Sequence, residues 1–134
     1  MMKRRGVILG ATAAFFALSL PAAASGWVEY REGVIENALA SGKTVFVDYW
    51  ASWCSTCRAQ ERRIEQLRGD DPAYDRAMTF VRVNWDDYAR KPVTTSRNIP
   101  RRSTLLVLKG DRELGRIVAG TGTAQIRELM DKGL

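Results

Sequence analysis

The chain has 134 residues, of which 46% are hydrophobic and 27% are charged, a balance typical of one globular domain. It contains no histidine and two cysteines, which excludes any catalytic dyad or triad that needs a histidine and any four-ligand structural zinc site within one chain. The formal net charge is +6 with three basic residues in the first five positions, and the mildly basic remainder does not indicate a nucleic-acid-binding protein.

The N-terminal segment has the layout of a secretory signal peptide. Basic residues occupy positions 3–5, an uncharged apolar run covers 6–20, and alanines at 22–24 offer a cleavage site. The apolar run is shorter than the about 20 residues that span a bilayer. The sequence therefore predicts a signal peptide over residues 1–24, cleaved after Ala24, and an uncleaved membrane anchor is the alternative.

Export would place the remaining residues, 25–134, in an oxidising compartment. We expect them in the bacterial periplasm, where disulfides persist and thiol exchange operates. They contain no internal repeat, low-complexity tract or linker, so we expect a single domain. Contact with the membrane is expected only if the leader stays attached.

The first half of this domain alternates helix and strand. Residues 32–40 carry apolar side chains at helical spacing, and residues 44–50 form a short apolar strand with one charge in its middle. Residues 54–67 have one apolar face in an otherwise polar segment, which predicts an amphipathic helix ended by Gly69. A short helical turn is predicted over residues 71–77, because proline is favoured at the first position of a helix.

The second half continues with three strands and a closing helix. Residues 79–85 alternate and are rich in strand-forming residues, whereas residues 86–102 are polar and irregular, with some helix expected. Two segments, 104–108 and 113–119, flank a turn and predict a hairpin. Residues 123–132 carry apolar side chains at helical spacing.

This order of elements predicts an α/β fold, in which one mixed sheet carries helices on both faces. The strand segments that are apolar throughout, residues 45–47 and 105–108, are expected at the centre of the sheet, where both faces are buried. A chain of this length builds one hydrophobic core and is too short for two.

A Cys-x-x-Cys motif, from Cys54 to Cys57, lies where the strand over residues 44–50 gives way to a helix. Amide N–H groups and the helix dipole at a helix N-terminus favour an anion, so the Cys54 thiol should ionise more readily than a free thiol. Cys54 is then the exposed nucleophile, and Cys57 lies one turn inward, close enough to form a disulfide with it and to resolve a mixed disulfide. An inert structural disulfide and half of an intermolecular metal site are the alternatives.

Asp48 and Trp53 are the other informative residues of this segment. Asp48 places a charge inside an apolar strand, which costs free energy unless the charge is satisfied. We expect a buried carboxylate behind the cysteines, with a raised pKa, that moves protons for Cys57; an edge position in contact with water is the alternative. Arg82 is either its charge partner or an outward, solvated arginine. Trp53 supplies an apolar rim that a partner peptide can cover.

Residues 47–58, Val-Asp-Tyr-Trp-Ala-Ser-Trp-Cys-Ser-Thr-Cys-Arg, closely resemble the active-site segment of the thioredoxin family. Residues 104–110 resemble that family's later strand and turn, and the closing helix fits as well. The resemblance covers residues 29–134 and implies the thioredoxin fold, with four to five strands in a mixed sheet. It places Asp48 on the family's buried acid and Arg82 where thioredoxins often carry a lysine.

The resemblance also implies what the protein does. Thioredoxin-like proteins are thiol:disulfide oxidoreductases that act on protein thiols and disulfides, which implies a redox disulfide between Cys54 and Cys57, with no bound metal or other cofactor. The exported context is similar to that of periplasmic thiol:disulfide interchange proteins. It implies a monomer that receives electrons from a membrane-embedded thiol reductant.

One departure from the family pattern bears on the direction of electron flow. The family often has Gly-Pro between the cysteines, whereas this chain has Ser55-Thr56. Strongly oxidising members resemble a Pro-His pair, and neutral hydroxyls do not stabilise a thiolate as an imidazolium would. We therefore expect a reductant, with a disulfide oxidase or isomerase as the alternative.

A second departure concerns the loop before residues 104–110. Thioredoxins place a cis-proline directly before this strand, facing the cysteines, whereas here Ser103 holds that position and Pro100 lies three residues earlier. We expect Ser103 to replace the proline, with a trans Arg102–Ser103 bond, rather than a shifted loop that brings Pro100 into place. Trp53, Arg102 and Ser103 are then the substrate-binding residues. Arg102 as plain solvated charge, and a dimeric metal or iron–sulfur module built on the same cysteines, are the alternatives.

Overall fold

The computed structural model of the protein describes Gly10 and residues 26–134. The predicted signal peptide, residues 1–24, lies outside the described residues except for Gly10. Within the described part of the chain, no helix has the length and the apolar character needed to cross a membrane.

The described residues form strands and helices that alternate along the chain. In order they are β1 (Val28–Glu29), α1 (Val34–Ala40), β2 (Thr44–Trp50), α2 (Ser55–Asp70), α3 (Ala73–Ala77), β3 (Met78–Asn84), α4 (Trp85–Tyr88), α5 (Pro92–Thr95), β4 (Thr104–Lys109), β5 (Arg112–Val118) and α6 (Thr123–Asp131).

The strands form one five-stranded sheet in the order β1-β3-β2-β4-β5. Strand β3 pairs in parallel with both β1 and β2, whereas β4 runs antiparallel to both β2 and β5. Helices α2 and α6 pack on one face of the sheet, and α1 and α5 pack on the other. The α/β class and the mixed sheet with helices on both faces are thereby confirmed, and β2 and β4 lie inside the sheet as predicted.

Alternation along β2 divides its side chains between the two faces, since successive residues of a strand point to opposite sides. Val47 packs with Ile35 of α1 on one face, and Phe46 packs with Ile64 of α2 on the other. Asp48 is two residues beyond Phe46 and therefore shares its face. The charge in the strand is thus directed to the side of the sheet that α2 covers.

The end of α2 differs from its predicted position. The helix continues through Gly69 to Asp70, and Asp71 leaves the helical conformation with φ −134° and ψ 108°. Asp71 precedes Pro72, whose ring disfavours the helical conformation of the residue before it. The proline, rather than the glycine, therefore ends the helix.

Two further elements differ from the sequence prediction. Trp85, predicted as the end of a strand, instead begins helix α4, because the Asn84 side chain accepts a hydrogen bond from the Asp86 N–H at 3.0 Å and caps the helix. The rest of α4 lies in the irregular segment where some helix was expected. Strand β1 has only two residues, Val28 and Glu29, and exists because they pair with Val81 and Arg82 of β3. No periodicity can identify a strand so short.

The site is positioned by the way β2 and β4 end. Tyr49, near the end of β2, pairs with Thr104, the first residue of β4. Helix α2 begins five residues after β2, and the loop that leads into β4 ends at Ser103. The N-terminus of α2 and this loop therefore meet at the same edge of the sheet.

Strand β5 lies at one side of the sheet and is irregular. The pairing of β4 with β5 shifts register between Val107 and Leu108, which marks a bulge. The Arg116 guanidinium donates to the Glu113 carboxylate at 2.7 Å and to the Arg97 carbonyl at 2.8 Å. This strand thus carries an ion pair between Arg116 and Glu113.

Candidate active site

Cys54 and Cys57 are joined by a disulfide at the start of α2, with their Cα atoms 5.2 Å apart. Cys54 is the N-cap of the helix, and its sulfur accepts a hydrogen bond from the Cys57 N–H at 3.1 Å. The first turn of α2 contains no acidic residue. When the disulfide is reduced, a negative charge on Cys54 therefore meets an amide hydrogen and the positive end of the helix dipole.

Ser103 faces the disulfide from the loop before β4. Its hydroxyl lies 3.2 Å from Cys54 Sγ and 3.1 Å from Cys57 Sγ, and the residue is fully buried. Among the described residues there is no cis peptide bond, so the bond that precedes Ser103 is trans. The position opposite the cysteines thus belongs to Ser103 and not to Pro100.

Gln60 anchors the loop that carries Ser103, and the sequence analysis did not identify it. Its side-chain amide donates to the Ser103 and Gly120 carbonyls, each at 2.9 Å, and the residue is fully buried. Gln60 shares one face of α2 with Ile64 and Leu67, which are four and seven residues further along. A glutamine in an apolar helical stripe was the signal that marked it.

Asp48 is fully buried, and neither of its carboxylate oxygens has a hydrogen-bond partner among the described residues. Burial raises the pKa of the Asp48 carboxyl from 3.8 to about 7, because the charged form loses hydration. Arg82 lowers this pKa, while Glu61 and Glu29 raise it by repulsion. The alternative of an edge position in contact with water does not fit this burial.

Arg82 lies beside Asp48 in the pairing of β2 with β3, but its guanidinium is engaged elsewhere. It donates to the Glu61 carboxylate at 2.8 Å and stacks 4.6 Å from the Trp27 ring and 4.1 Å from the Trp50 ring. The residue is 8% exposed. The alternative of an outward, solvated arginine is therefore wrong, and Arg82 acts on Asp48 by its charge without a direct hydrogen bond.

Trp53 stands beside the disulfide as an exposed aromatic ring with a fixed orientation. It is 54% exposed, and its indole N–H donates to the Asp86 carboxylate at 2.9 Å. The Arg102 guanidinium stacks over the ring at 4.5 Å, so Arg102 is not the plain solvated charge of the alternative. An anchored aromatic ring beside a reactive bond is suited to contact a partner chain.

No group of three or more histidine, cysteine, aspartate or glutamate side chains is placed to hold a metal ion within the described range. The reactive chemistry available at this site is thiol–disulfide exchange. Cys54 is 3% exposed, so the expectation of an exposed nucleophile is wrong. A thiolate held at the N-terminus of α2 can attack another disulfide, and the neighbouring sulfur lies close enough to displace the product.

The comparison with protein families matches residues 28–132 to the model of the thioredoxin family. Thioredoxin 2 of Chlorobaculum tepidum is 31% identical over 112 residues, which cover 78% of this chain and 94% of that protein. The thiol:disulfide interchange protein DsbE of Escherichia coli K12 is 29% identical over 79 residues, or 59% of this chain. The matched region spans 40% of the length of DsbE.

Solved structures show the same fold. Trxlp from Edwardsiella tarda has a TM-score of 0.65 at 31% identity, with 76% of this chain and 97% of Trxlp covered. The thioredoxin pre-protein of Schistosoma mansoni has a TM-score of 0.63 at 23% identity, with 81% of this chain and 98% of that chain covered, and shows a likeness of fold alone. From the family match over residues 28–132, together with these relatives, we conclude that the chain belongs to the thioredoxin family.

Proposed function

We propose that this chain is a periplasmic thiol–disulfide oxidoreductase that reduces the disulfides of exported proteins. The observation that carries the proposal is the Cys54–Cys57 disulfide at the N-terminus of α2, beside the exposed Trp53 ring. Residues 1–24 are a signal peptide removed after Ala24, and residues 25–134 are the working domain. The name of the DsbE relative, a thiol:disulfide interchange protein, supports the class of reaction.

The reaction passes two electrons from the dithiol to a substrate disulfide. The Cys54 thiolate attacks one substrate sulfur, so that a mixed disulfide forms and the other substrate sulfur leaves as a thiolate. The Cys57 thiolate then attacks Cys54 Sγ, which closes the protein disulfide and releases the second substrate thiolate. Asp48, whose pKa is raised to about 7, accepts the proton that Cys57 loses before it attacks.

Substrates dock on the surface formed by Trp53 and Arg102, whereas Ser103, which the sequence analysis also expected to bind substrate, is fully buried and offers no surface. Trp53 and Arg102 are stacked at 4.5 Å, and the pair offers an apolar ring and a positive charge beside the sulfur that reacts. The protein works as a monomer. It needs no bound cofactor, because the dithiol itself carries the electrons. Since each turnover leaves it oxidised, a membrane-embedded thiol reductant restores it.

Insulin reduction by the purified protein tests the activity. With dithiothreitol as electron donor, the parent should precipitate the insulin B chain faster than dithiothreitol alone. Cys54→Ser should abolish the acceleration, and Cys57→Ser should accumulate mixed disulfides because the resolving thiol is lost. Ser55→Ala, which keeps both sulfurs, is the matched control. A parent without activity, or a visible absorption band from a metal or cluster, would contradict the proposal.

The reduction potential tests the direction of electron flow. Equilibration with a defined thiol buffer should give a value near that of thioredoxin, about −270 mV. A value near about −120 mV would identify an oxidase instead. Reactivation of a scrambled disulfide protein at an intermediate potential would identify an isomerase.

A further inference from the structure

One hydroxyl lies within hydrogen-bonding distance of both cysteine sulfurs. The Ser103 hydroxyl is 3.2 Å from Cys54 Sγ and 3.1 Å from Cys57 Sγ. Because the sulfurs of a disulfide carry no hydrogen, the hydroxyl is the donor in this state. Within the described residues, the other hydrogen bond to these sulfurs comes from the Cys57 N–H.

The backbone N–H and carbonyl of Ser103 are both hydrogen-bonded within the protein. Its N–H donates to the Tyr49 carbonyl at 2.7 Å, and its carbonyl accepts from the Ala119 N–H at 2.8 Å and from the Gln60 side-chain amide at 2.9 Å. These bonds hold Ser103 in the left-handed region, with φ +64°, which a residue with a side chain rarely adopts. The hydroxyl is therefore the group that Ser103 directs to the disulfide.

We propose that the Ser103 hydroxyl is a catalytic hydrogen-bond donor, which stabilises the Cys54 thiolate of the reduced protein and then the Cys57 thiolate as it attacks the mixed disulfide. Because the hydroxyl lies at nearly the same distance from both sulfurs, it can donate a hydrogen bond to whichever cysteine carries the negative charge. A proline at this position has no donor to offer. The inference rests on thiol–disulfide exchange at this site and holds for either direction of electron flow.

The hydroxyl takes part without gaining or losing a proton. In the free dithiol it donates to the negative Cys54 sulfur. In the mixed disulfide it donates to the Cys57 thiolate, which forms the Cys54–Cys57 bond while the bond to the substrate breaks and the substrate leaves as a thiolate. The two electrons and the leaving charge pass to the substrate, and the hydroxyl keeps its hydrogen throughout.

The effect on equilibrium follows from the charge of each state. A hydrogen bond to a thiolate is stronger than one to the weakly accepting sulfur of a disulfide, so the hydroxyl favours the reduced form. Its removal should shift the equilibrium with glutathione about tenfold toward the disulfide, or about 30 mV toward a more negative potential. It should also move the midpoint of Cys54 thiolate formation upward by about one pH unit.

The test uses Ser103→Ala and Ser103→Gly in the full chain. Glycine adopts positive φ without strain, so it removes the hydroxyl and leaves the loop conformation favourable. Thr104→Val is the matched control, since the Thr104 hydroxyl is also buried but donates to the Arg101 carbonyl at 2.7 Å. The rate of Cys54 alkylation by iodoacetamide is measured against pH, and the equilibrium with glutathione is measured alongside.

The proposal is sustained if both Ser103 variants shift the alkylation midpoint and the glutathione equilibrium while Thr104→Val matches the parent. It is overturned if the Ser103 variants fold and keep the profile of the parent, or if Thr104→Val shifts it equally. NMR of the unsubstituted reduced protein tests the proposal without a variant: the Ser103 hydroxyl proton should titrate with the thiolate, and a constant chemical shift would contradict it. Alkylation needs no disulfide substrate, so failure of insulin reduction leaves this test valid.

Discussion

Asp48 lies in an interior strand with its carboxyl buried and, among the described residues, without a hydrogen-bond partner. Loss of hydration raises its pKa to about 7, and the charge of Arg82 offsets only part of that rise. Arg82 is hydrogen-bonded to Glu61, and the Asp48 carboxyl forms no salt bridge within the described part of the chain. It can therefore hold a proton near neutral pH and release it within the same range.

The raised pKa of Asp48 predicts that the protein loses stability as the pH rises. Between pH 3.8 and about 7, the folded chain keeps a proton that the unfolded chain has lost. The contribution of the protonated Asp48 carboxyl to the free energy of unfolding is therefore complete below pH 3.8. It decreases as the pH rises through this window and is lost above about pH 7. Asp48→Asn cannot ionise, so its free energy of unfolding should lack this part of the pH dependence and should rise relative to that of the parent between pH 3.8 and about 7.

Urea unfolding of the disulfide form at about pH 5 and about pH 8 measures this difference. Asp111→Asn, at an exposed turn residue, is the control for the loss of one carboxylate. Its unfolding free energy should vary with pH as that of the parent does. A variation with pH that persists unchanged in Asp48→Asn would refute the assignment.

At the scale of elements, helix α2 does more than carry the cysteines. Through Gln60 it binds the loop before β4 and the loop after β5, since the side-chain amide donates to the Ser103 and Gly120 carbonyls. The helix and two loops thus form one connected support for the disulfide.

Gln60→Ala should therefore destabilise the protein by about 2–3 kcal/mol, because it removes the hydrogen bonds to the Ser103 and Gly120 carbonyls and leaves a cavity at a fully buried position. Gln66→Ala, on the exposed face of the same helix, should change the free energy of unfolding by less than about 0.5 kcal/mol. Denaturant titration of both variants measures the contrast. Equal stability of the two would show that the Gln60 hydrogen bonds contribute nothing.

The junction of β2 and α2 presents Trp53, held by Asp86 and Arg102. Trp53→Ala should raise the KM for a protein disulfide about tenfold or more, as the loss of an anchoring aromatic residue does at interfaces. Reaction with a small aromatic disulfide should change little, because the cysteines are untouched. Val118→Ala, which removes another exposed apolar side chain, is the control. Equal loss on both substrates would argue against a docking role.

The elements also show what the sequence could predict. The apolar runs of β2 and β4 predicted their interior places, and the Cys-x-x-Cys motif between strand and helix predicted the site. The contacts of Gln60, and the diversion of Arg82 to Glu61, were not predictable because they depend on side chains from distant elements. Helix α4 rests on a local cap by Asn84 that an alternating pattern over residues 79–85 obscures.

At the scale of the whole molecule, the segment just before β1 is packed against the rest of the fold. Trp27 packs 5.7 Å from the Phe80 ring, lies against the guanidinium groups of Arg68 and Arg82, and donates to Glu65 at 2.7 Å. The segment that would follow the proposed cleavage point therefore packs against the core through the partly buried Trp27.

Trp27→Ala should lower the free energy of unfolding by about 3 kcal/mol, since it removes a large packed ring. Trp53→Ala deletes the same side chain from an exposed position and should leave stability nearly unchanged. Thermal and urea unfolding of the two variants compare them directly. If Trp27→Ala proved as stable as the parent, the N-terminal segment would be an appendage rather than part of the fold.

The two edge strands of the sheet are poor templates for the addition of a strand from another chain. An open edge is a template on which foreign strands aggregate. One edge strand, β1, is only two residues long, and the other, β5, borders a bulge and carries the Arg116–Glu113 pair. Both features discourage extension of the sheet by another chain. Under the proposed function, this leaves the disulfide end of the molecule, with its exposed Trp53 ring, as the surface on which a client polypeptide docks.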